Sequence, residues 1–290
     1  MTEVRIPLHD FSVDDSSSIP FKLIPLEFRS DYDISVPHRH NYYEIFLFEN
    51  GGGTHRVDFT THEITNHSLH FVSPGQVHLV KRIPASNGNI ILFSREFYYM
   101  DSADRNLLFE MPFLNNNTDV PVIELTPADY EKLNTLILMM YAEEKSGTEM
   151  KHEAMRSLLN LFLVTSKRLF VNEEKLSAST SGFYEFKSLV EHNFRTWHKV
   201  QDYAQALHIS EKQLGELVKK SCGQTVLAVI HDRILLEAKR LLVHGDSSTK
   251  EIGYFLNFED PSHFTKFFKN GSGSTPQAFR EQGRKIYYDL

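Results

Sequence analysis

Residues 203–220, YAQALHISEKQLGELVKK, and residues 252–269, IGYFLNFEDPSHFTKFFK, repeat one pattern of apolar and basic residues. Each copy contains a short apolar segment, a polar break and a second amphipathic segment that ends in lysine. This order predicts a short helix, a turn of three to four residues and a second helix, which is the layout of a helix-turn-helix. Since the second helix of that motif enters the major groove of DNA, the repeat predicts two DNA-reading helices.

A long helix is expected between the two copies, over residues 225–243. Thr225 is its expected N-cap, and Gly245 is expected to end it in the left-handed conformation. Because a helix rises about 1.5 Å per residue, this one spans about 30 Å, close to the ~34 Å of one DNA turn. The two recognition helices could therefore reach successive major grooves.

The outward-facing residues of the second helix in each copy are the candidate DNA contacts. Gln can bind adenine and Lys can bind guanine at base edges, whereas lysines near the helix ends suit phosphates. The candidates are Lys212, Gln213, Glu216, Lys219 and Lys220 in the first copy, and Ser262, His263, Thr265, Lys266 and Lys269 in the second.

Residues 199–282 resemble the C-terminal DNA-binding domain of AraC/XylS-type transcriptional regulators. The resemblance implies that residues 183–290 form this domain and that double-stranded DNA and RNA polymerase are partners. We expect an activator of transcription, although the sequence does not decide between activation and repression. Glu216, Asn270 and Gly271 depart from the family pattern and remove expected phosphate contacts. The matching residues are Ala204, Leu207, Ser210, Leu214, Lys219, Lys220, Gly223, Arg233, 238–242 (AKRLL), Ile252, Gly253, Phe258, Asp260, 262–264 (SHF), 267–269 (FFK), Gly273, Thr275, Pro276, Phe279 and Arg280.

The first part of the chain has the pattern of a β-domain. Short apolar runs recur between residues 20 and 94, separated by turn sequences such as 50–53 (NGGG) and 73–75 (SPG). Evenly spaced short strands with such breaks favour a sandwich or a barrel over alternating strands and helices.

Helical periodicity replaces the strand pattern at Thr126. Pro127 suits the first position of a helix, and a break at residues 146–148 divides the segment 126–171 into a two-helix hairpin. Its apolar stripes, which include Leu136 and Leu161, are expected to pack on the β-domain and to form a homodimer contact. The polar residues 172–182 (NEEKLSASTSG) predict a linker, so the expected domains are 1–171 and 183–290.

Four polar residues of the β-domain, His38, His40, Glu44 and His78, resemble the two motifs of cupin barrels. If residues 38–46 form one strand, the first three share a face. His78 from a later strand could then complete a site of three histidines and one carboxylate, which suits a transition metal. Tyr32 and Arg82 replace the glycine and the asparagine of the cupin motifs.

AraC-type regulators commonly use this barrel to sense organic effectors without a metal. The resemblance therefore implies no metal, no cofactor and a small-molecule effector such as a sugar or another metabolite. The expected effector-binding residues are His38, His40, Tyr42, Glu44, Phe46 and His78.

Charge and composition limit the function classes. The net charge of the 290 residues is −7, but residues 183–290 contain 15 Lys and Arg against 13 Asp and Glu, and residues 1–182 contain 16 against 25. This split predicts two tasks on one chain. The longest apolar runs are far shorter than the ~18 residues of a membrane helix, and residues 1–5 lack the apolar core of a secretory signal. We therefore expect a cytoplasmic protein without a membrane partner.

The sequence thus predicts β and α structure in separate domains: a cupin-like β-barrel with a helical hairpin, then an all-α domain with two helix-turn-helix motifs. The predicted function is a DNA-binding regulator that responds to an effector and is not an enzyme. A metal-dependent cupin enzyme, an oxygenase or isomerase with a regulatory helical half, stays open as an alternative. An alkyl-transfer repair protein needs reactive thiolates. Because the single cysteine, Cys222, lies at the end of a recognition helix, the sequence nearly excludes that class of protein.

Overall fold

The structure is a computed structural model that describes residues 8–9, 21–26, 36–99, 108, 111–114, 121–146, 149–171 and 181–288. The described residues up to 171 belong to one compact unit and those from 181 onward to another. The first unit is rich in β-sheet and the second is helical, as the sequence predicts. Of the predicted linker 172–182, residues 172–180 lie outside the described residues, and residues 181–182 already belong to a helix.

Antiparallel sheets form the centre of the first unit. One sheet has five strands in the order β10-β7-β4-β9-β2, and a second has three strands in the order β6-β5-β8, while β1 pairs with β3 in parallel. In chain order the strands are β1 (Leu8–His9), β2 (Phe21–Pro25), β3 (Arg39–His40), β4 (Tyr43–Asn50), β5 (Gly53–Val57), β6 (Thr60–Glu63), β7 (Ser68–Val72), β8 (His78–Arg82), β9 (Asn87–Phe93) and β10 (Val122–Glu124). The ladders of the described strands divide into a five-stranded, a three-stranded and a two-stranded sheet, and the five- and three-stranded sheets pack face to face.

The central strand β4 is buried on both faces, which explains the continuous apolar run in its sequence. Tyr43, Ile45 and Leu47 belong to a large core with the helices of this unit. Phe46 and Phe48 belong to a smaller core with Val57 of the opposite sheet. Since side chains alternate along a strand, the even-numbered residues of β4, Glu44 among them, point between the two sheets.

Helices cover the outer face of the five-stranded sheet. They are α1 (Arg95–Tyr99), a 3-10 turn (Pro112–Leu114), α2 (Pro127–Ser146) and α3 (Lys151–Val171). Thr126 caps α2, since its Oγ1 accepts a hydrogen bond from the Asp129 N–H at 3.2 Å. The homodimer contact expected of Leu136 is wrong, because this side chain is buried in the core with the sheet. Leu161, in contrast, is exposed.

The second unit consists of helices alone within residues 181–288. They are α4 (Ser181–Asn193), α5 (Val200–Ala206), α6 (Glu211–Cys222), α7 (Val226–His244), α8 (Thr249–Phe255), α9 (Pro261–Ser272) and α10 (Pro276–Tyr288). No helix among the described residues is both long and apolar enough to cross a membrane.

Helix α7 ends differently from the expectation. Gly245 is extended, with φ −101° and ψ 160°, and is not left-handed. The carbonyls at this helix end are bound by side chains of α10: Arg280 Nε donates to Leu242 O at 3.0 Å, and Arg284 donates to Gly245 O at 2.6 Å. A left-handed cap is unnecessary because distant arginines already satisfy these acceptors.

An ion pair between the buried Arg233 and the partly exposed Glu191 joins α4 to α7. Arg233 donates two hydrogen bonds to the carboxylate of Glu191, at 2.8 and 2.9 Å, and its guanidinium lies 3.8 Å from the ring centre of Phe194. Burial alone would raise the pKa of Glu191, but Arg233 holds that pKa below its ordinary value. The pair therefore fixes the first helix of the unit on its longest helix.

We expect Glu191→Gln to lower the free energy of unfolding of the helical unit by about 2 kcal/mol, because it removes the charge of one of the two carboxylates that pair with the buried guanidinium of Arg233 and leaves Glu237 to balance it. The single tryptophan, Trp197, lies in this unit, so its fluorescence during urea unfolding reports on this unit. Because the folded pKa of Glu191 is lowered, the stabilisation is complete above the ordinary carboxylate pKa and is lost as the pH falls through the folded value.

The matched control is Glu185→Gln, which changes an exposed glutamate of the same helix. This control should leave stability within about 0.5 kcal/mol of wild type. Equal effects of the two substitutions at neutral pH would contradict the importance of this ion pair.

Candidate functional site

The first helix-turn-helix consists of α5, a four-residue turn and α6. Ser210 is the N-cap of α6. Its hydroxyl accepts a hydrogen bond from the Gln213 N–H at 3.2 Å, and the Gln213 side-chain oxygen accepts one from the Ser210 N–H at 2.9 Å. His208 in the turn has φ +55°. The left-handed Gly223 ends α6. Local capping therefore fixes both ends of the recognition helix.

The second helix-turn-helix repeats this geometry with α8 and α9. Asp260 accepts a hydrogen bond from the Ser262 N–H at 2.5 Å, Asn257 in the turn has φ +62°, and Gly273 ends α9 in the left-handed conformation. Asp260 is therefore the N-cap of α9, as Ser210 is of α6. The turn between α8 and α9 is one residue longer than the turn between α5 and α6. Positions 50 residues apart correspond in α6 and α9.

The two recognition helices share a division into a buried and an exposed face. Leu214 and Val218 of α6 are fully buried, as are Phe264 and Phe268 at the corresponding positions of α9. The opposite faces are exposed and polar. They carry Lys212, Gln213, Glu216, Lys219 and Lys220 in α6, and Ser262, His263, Lys266 and Lys269 in α9.

A second group of polar residues is buried between the two sheets of the first unit. His40 Nε2 lies 3.1 Å from Glu44 Oε2, and His78 Nε2 lies 3.3 Å from the same oxygen. The Nδ1 of His40 contacts Tyr42 O at 2.7 Å. All three side chains are at most 2% exposed. The structure thus brings together three of the four residues of the cupin-like pattern around one point.

The strand expected over residues 38–46 is interrupted. β3 ends at His40 and β4 begins at Tyr43, with a bend at residues 41–42. His38 instead forms an isolated bridge with His78, their ring centres 4.4 Å apart, and its Nδ1 contacts Val36 O at 3.1 Å. The ligand atoms of His40, Glu44 and His78 lie within 4.8 Å of one another, and His38 is outside this set.

Two further histidines, His55 and His70, extend the cluster, and the sequence analysis missed them. His55 Nε2 lies 3.3 Å from His78 Nδ1, and His55 Nδ1 lies 3.2 Å from His70 Nδ1. Burial lowers the pKa of His70 to about 3, and burial followed by His70 lowers the pKa of His55 well below its ordinary value. Both rings are therefore uncharged at neutral pH. His55 lies two residues before Val57, and His70 lies two residues before Val72. Because side chains two apart on a strand share a face, this spacing was the sequence signal that both histidines face inward.

Two family models match the chain. A model described as "Helix-turn-helix domain" matches residues 203–282, and one described as "AraC-like ligand binding domain" matches residues 20–115; together they span more than half of the chain. The chain belongs to the AraC family of transcriptional regulators. It has an N-terminal ligand-binding domain and a C-terminal helix-turn-helix DNA-binding domain. These matches support the predicted regulator and not the alternative of a cupin enzyme.

Individual relatives of this AraC-family chain are distant. The HTH-type transcriptional activator RhaS of Escherichia coli O1:K1 / APEC is 24% identical over 250 residues, which are 85% of this chain and 87% of RhaS. The structure of ToxT from Vibrio cholerae is 17% identical, covers 90% of this chain and 98% of ToxT, and has a TM-score of 0.42. The DNA-binding domain of AdpA, solved with a target DNA, is 23% identical over 37% of this chain and 96% of that domain, with a TM-score of 0.34.

Three of the ten predicted DNA contacts in this AraC-family domain have side chains bound within their own helix or its cap. The Gln213 side-chain oxygen accepts from Ser210, Lys219 Nζ donates to Gly223 O at 2.7 Å, and the half-buried Thr265 donates to Pro261 O at 2.9 Å. Only after leaving these partners can they bind DNA through the same atoms. The seven others are exposed, and all ten stay predictions.

The predicted effector residues of the AraC-like domain all lie in the buried interior. Tyr42 stacks on His40 with ring centres 4.2 Å apart, and Phe46 contacts His55 edge to face at 5.1 Å. His40 and Glu44 are at most 1% exposed, so side chains fill the space around them.

The donor set of this interior fits a divalent transition metal of the kind that cupin barrels hold. Imidazole nitrogens and a carboxylate oxygen are ligands of zinc, and metal–ligand distances of about 2.0–2.2 Å in a tetrahedral site place neighbouring ligand atoms about 3.3 Å apart. The distances of 3.1 and 3.3 Å from the two histidines to Glu44 Oε2 match this spacing, and all three ligand atoms lie within 4.8 Å of one another. His40, Glu44 and His78 would hold the ion, which would supply positive charge to a buried set of acceptors.

The two copies of the motif compensate for residue size where their helices cross. Gly253 of α8 lies against Phe264, and a Cβ on Gly253 would come within 3.2 Å of the Phe264 Cβ. The corresponding residues of the first copy are Ala204 and Leu214, both buried. A smaller residue on one helix thus accompanies a larger one on the other.

We expect Gly253→Ala to lower the free energy of unfolding by about 1 kcal/mol, because crowding against Phe264 exceeds the gain in helix propensity. Gly215→Ala is the control in α6, where a Cβ meets nothing within 4 Å, and it should raise stability by up to about 1 kcal/mol. Urea unfolding followed by Trp197 fluorescence measures both. In the Phe264→Ala background, which removes Cγ and Cδ1, two of the three crowding atoms, the cost of Gly253→Ala should shrink, and an unchanged cost would refute the crowding.

Proposed function

We propose that this AraC-family regulator activates transcription as a cytoplasmic homodimer when an effector occupies the interior between its two sheets. The observation that carries the proposal is the pair of capped recognition helices, α6 and α9, with exposed polar faces at corresponding positions. The matched relative RhaS is named an activator, which supports activation and a contact with RNA polymerase. The effector must bind the two arrangements of the protein with different affinities, because otherwise it shifts nothing.

We assign two roles to the exposed residues of the recognition helices. Gln213 and His263 occupy corresponding positions at the start of each helix, where side chains of a helix-turn-helix reach base edges. Lys220 and Lys269 lie near the helix ends and bind phosphates. Lys212, Glu216, Ser262 and Lys266 complete the polar faces, with Lys219 and Thr265 beside them.

The test of DNA reading uses Gln213→Glu, since a glutamate retains the capping oxygen but lacks the amide donors that bind adenine. We expect Gln213→Glu and His263→Ala to relax sequence preference by about 1–3 kcal/mol at one or two base pairs. Lys220→Ala should weaken all sequences about equally and reduce the salt slope of log K by about 0.9. Binding selection with the full chain at several salt concentrations measures these effects.

Lys285→Ala, which removes an exposed lysine of α10, is the control for general charge loss. It should change neither sequence preference nor the salt slope. Uniform loss for Gln213→Glu, His263→Ala and Lys220→Ala would mean that the roles are misassigned. Failure of the wild-type chain to bind any DNA with salt dependence would refute the proposed function.

The proposed dimer uses the helical hairpin of the first unit. Leu138 and Met139 of α2 and Leu161 of α3 are 59%, 50% and 48% exposed, whereas most other large apolar residues of α2 and α3 are buried or partly buried. Large apolar side chains on a surface are unfavourable in water unless a partner covers them. A second copy of the chain is the proposed partner.

We expect Leu138→Glu and Leu161→Glu to give folded monomers, because each places a charge in the proposed contact. Thr135→Glu, at an exposed polar position of α2, should leave the dimer intact. Leu136→Glu should instead unfold the domain, since this side chain lies in the core. Sedimentation equilibrium separates the outcomes, and a monomeric wild type would contradict the dimer.

A further inference from the structure

A continuous row of polar groups crosses the interior between the two sheets. It runs from Tyr42 O through His40, Glu44, His78, His55 and His70 to Ser68, with each neighbouring pair of atoms between 2.7 and 3.3 Å apart. The Ser68 hydroxyl then donates to Thr65 O at 2.8 Å. Both ends of the row are backbone carbonyls, which only accept hydrogen bonds.

The Ser68 end fixes where the protons lie. The single hydroxyl proton of Ser68 goes to Thr65 O, so the contact between Ser68 and His70 needs the proton of His70 Nε2. A neutral His70 then has a bare Nδ1, which accepts from His55 Nδ1. A neutral His55 in turn has a bare Nε2, which accepts from His78 Nδ1. Three residues that are remote from Glu44 thereby set the tautomer of His78.

The consequence appears at Glu44. Since His78 carries its proton on Nδ1, a neutral His78 turns the lone pair of Nε2 toward Glu44 Oε2. On the other side, His40 donates from Nδ1 to Tyr42 O and turns the Nε2 lone pair toward the same oxygen. With both imidazoles neutral, which is the form that binds a metal, two nitrogen lone pairs converge on one carboxylate oxygen in this buried site. One carboxyl proton can satisfy only one of the two contacts.

A cation satisfies all three acceptors at once. A divalent transition-metal ion takes neutral imidazole nitrogens and a carboxylate as ligands, and it leaves every other hydrogen bond of the row as it is. An imidazole that binds a metal characteristically donates its other N–H to a further acceptor, which fixes the ring. His40 does so to Tyr42 O and His78 to His55.

We propose that Ser68, His70 and His55 are positioning residues that orient His78 toward the divalent transition-metal ion that His40, Glu44 and His78 would hold. The inference rests on the proposed function because it names the ligand class of the interior that we assign to the effector. It departs from the organic effector and the absence of a metal that the sequence predicts. The reason is physical, since the ligand atoms lie within 4.8 Å of one another and the surrounding side chains are closely packed.

The first experiment asks whether the ion binds at this site. Full-length chain without an affinity tag is stripped with a chelator and titrated with Zn²⁺, and with Co²⁺, whose visible spectrum reports its coordination. We expect one equivalent of either ion in the wild type, and loss of that equivalent in Glu44→Gln and His78→Ala. His192→Ala, which removes an exposed histidine of the other unit, should bind like wild type. Absence of binding in the wild type, or binding that survives in Glu44→Gln and His78→Ala, would overturn the metal site.

The second experiment tests the positioning residues. Ser68→Ala removes the acceptor that fixes His70, and His70→Phe interrupts the row, so each should weaken Zn²⁺ binding about 10–100-fold in competition with a chelator. Nitrogen-15 NMR of the histidine rings should show one tautomer of His78 in the wild type and a mixture in Ser68→Ala. Circular dichroism identifies a variant that fails to fold, and Ser68→Ala, which removes one oxygen, serves if His70→Phe does not fold. Wild-type affinity and an unchanged His78 tautomer in folded Ser68→Ala would overturn the positioning role.

DNA binding of the same preparations separates this inference from the proposed function. A chain that binds DNA with sequence preference but takes up no Zn²⁺ overturns the metal site alone. A chain that takes up one Zn²⁺ but binds no DNA supports the metal site and refutes the proposed function.

Discussion

The burial of β4 on both faces is the constraint on which the first unit depends. Side chains alternate along a strand, so this one strand serves two cores. Its odd-numbered residues, such as Ile45, pack with α2 and α3, and its even-numbered residues, such as Phe46, face the opposite sheet. A shift of one residue in the pairing of β4 would exchange the two sets and place Glu44 under the helices. The register of β4 therefore decides both how the hairpin packs and what the interior contains.

The interior that results is unusually polar for the centre of a domain. Four histidines and a glutamate are packed with aromatic rings between the sheets. Buried polar groups persist only where their hydrogen bonds are satisfied, so each ring must adopt the tautomer that its neighbours permit. This requirement makes the row directional, from Ser68 toward Glu44. A site built in this way presents acceptors at one end, and that property links the fold to the kind of ligand it can take.

The helical unit solves a different problem, which is to hold two recognition helices in fixed positions. Caps such as Ser210 and Asp260 set where each recognition helix begins, and the ion pair of Glu191 with Arg233 anchors α7 between the two motifs. The size exchange between Gly253 with Phe264 and Ala204 with Leu214 lets two unequal copies adopt one geometry. Differences between the copies are then concentrated on the exposed faces. Two nearly identical supports can thus carry two different sets of polar side chains.

The sequence by itself determined the two helix-turn-helix motifs and the hairpin, because helical periodicity and caps such as Thr126 and Ser210 act between residues close in the chain. It also singled out His40, Glu44 and His78. Only the tertiary structure brought His55 and His70 to them, since these residues come from strands of two sheets and strand register is set by pairing across the fold. Tertiary packing likewise decided that Leu136 is buried while Leu161 is exposed, and that Arg280, not a left-handed glycine, closes α7. Periodicity shows that a helix has an apolar face, but which of its residues are covered depends on the elements packed against it.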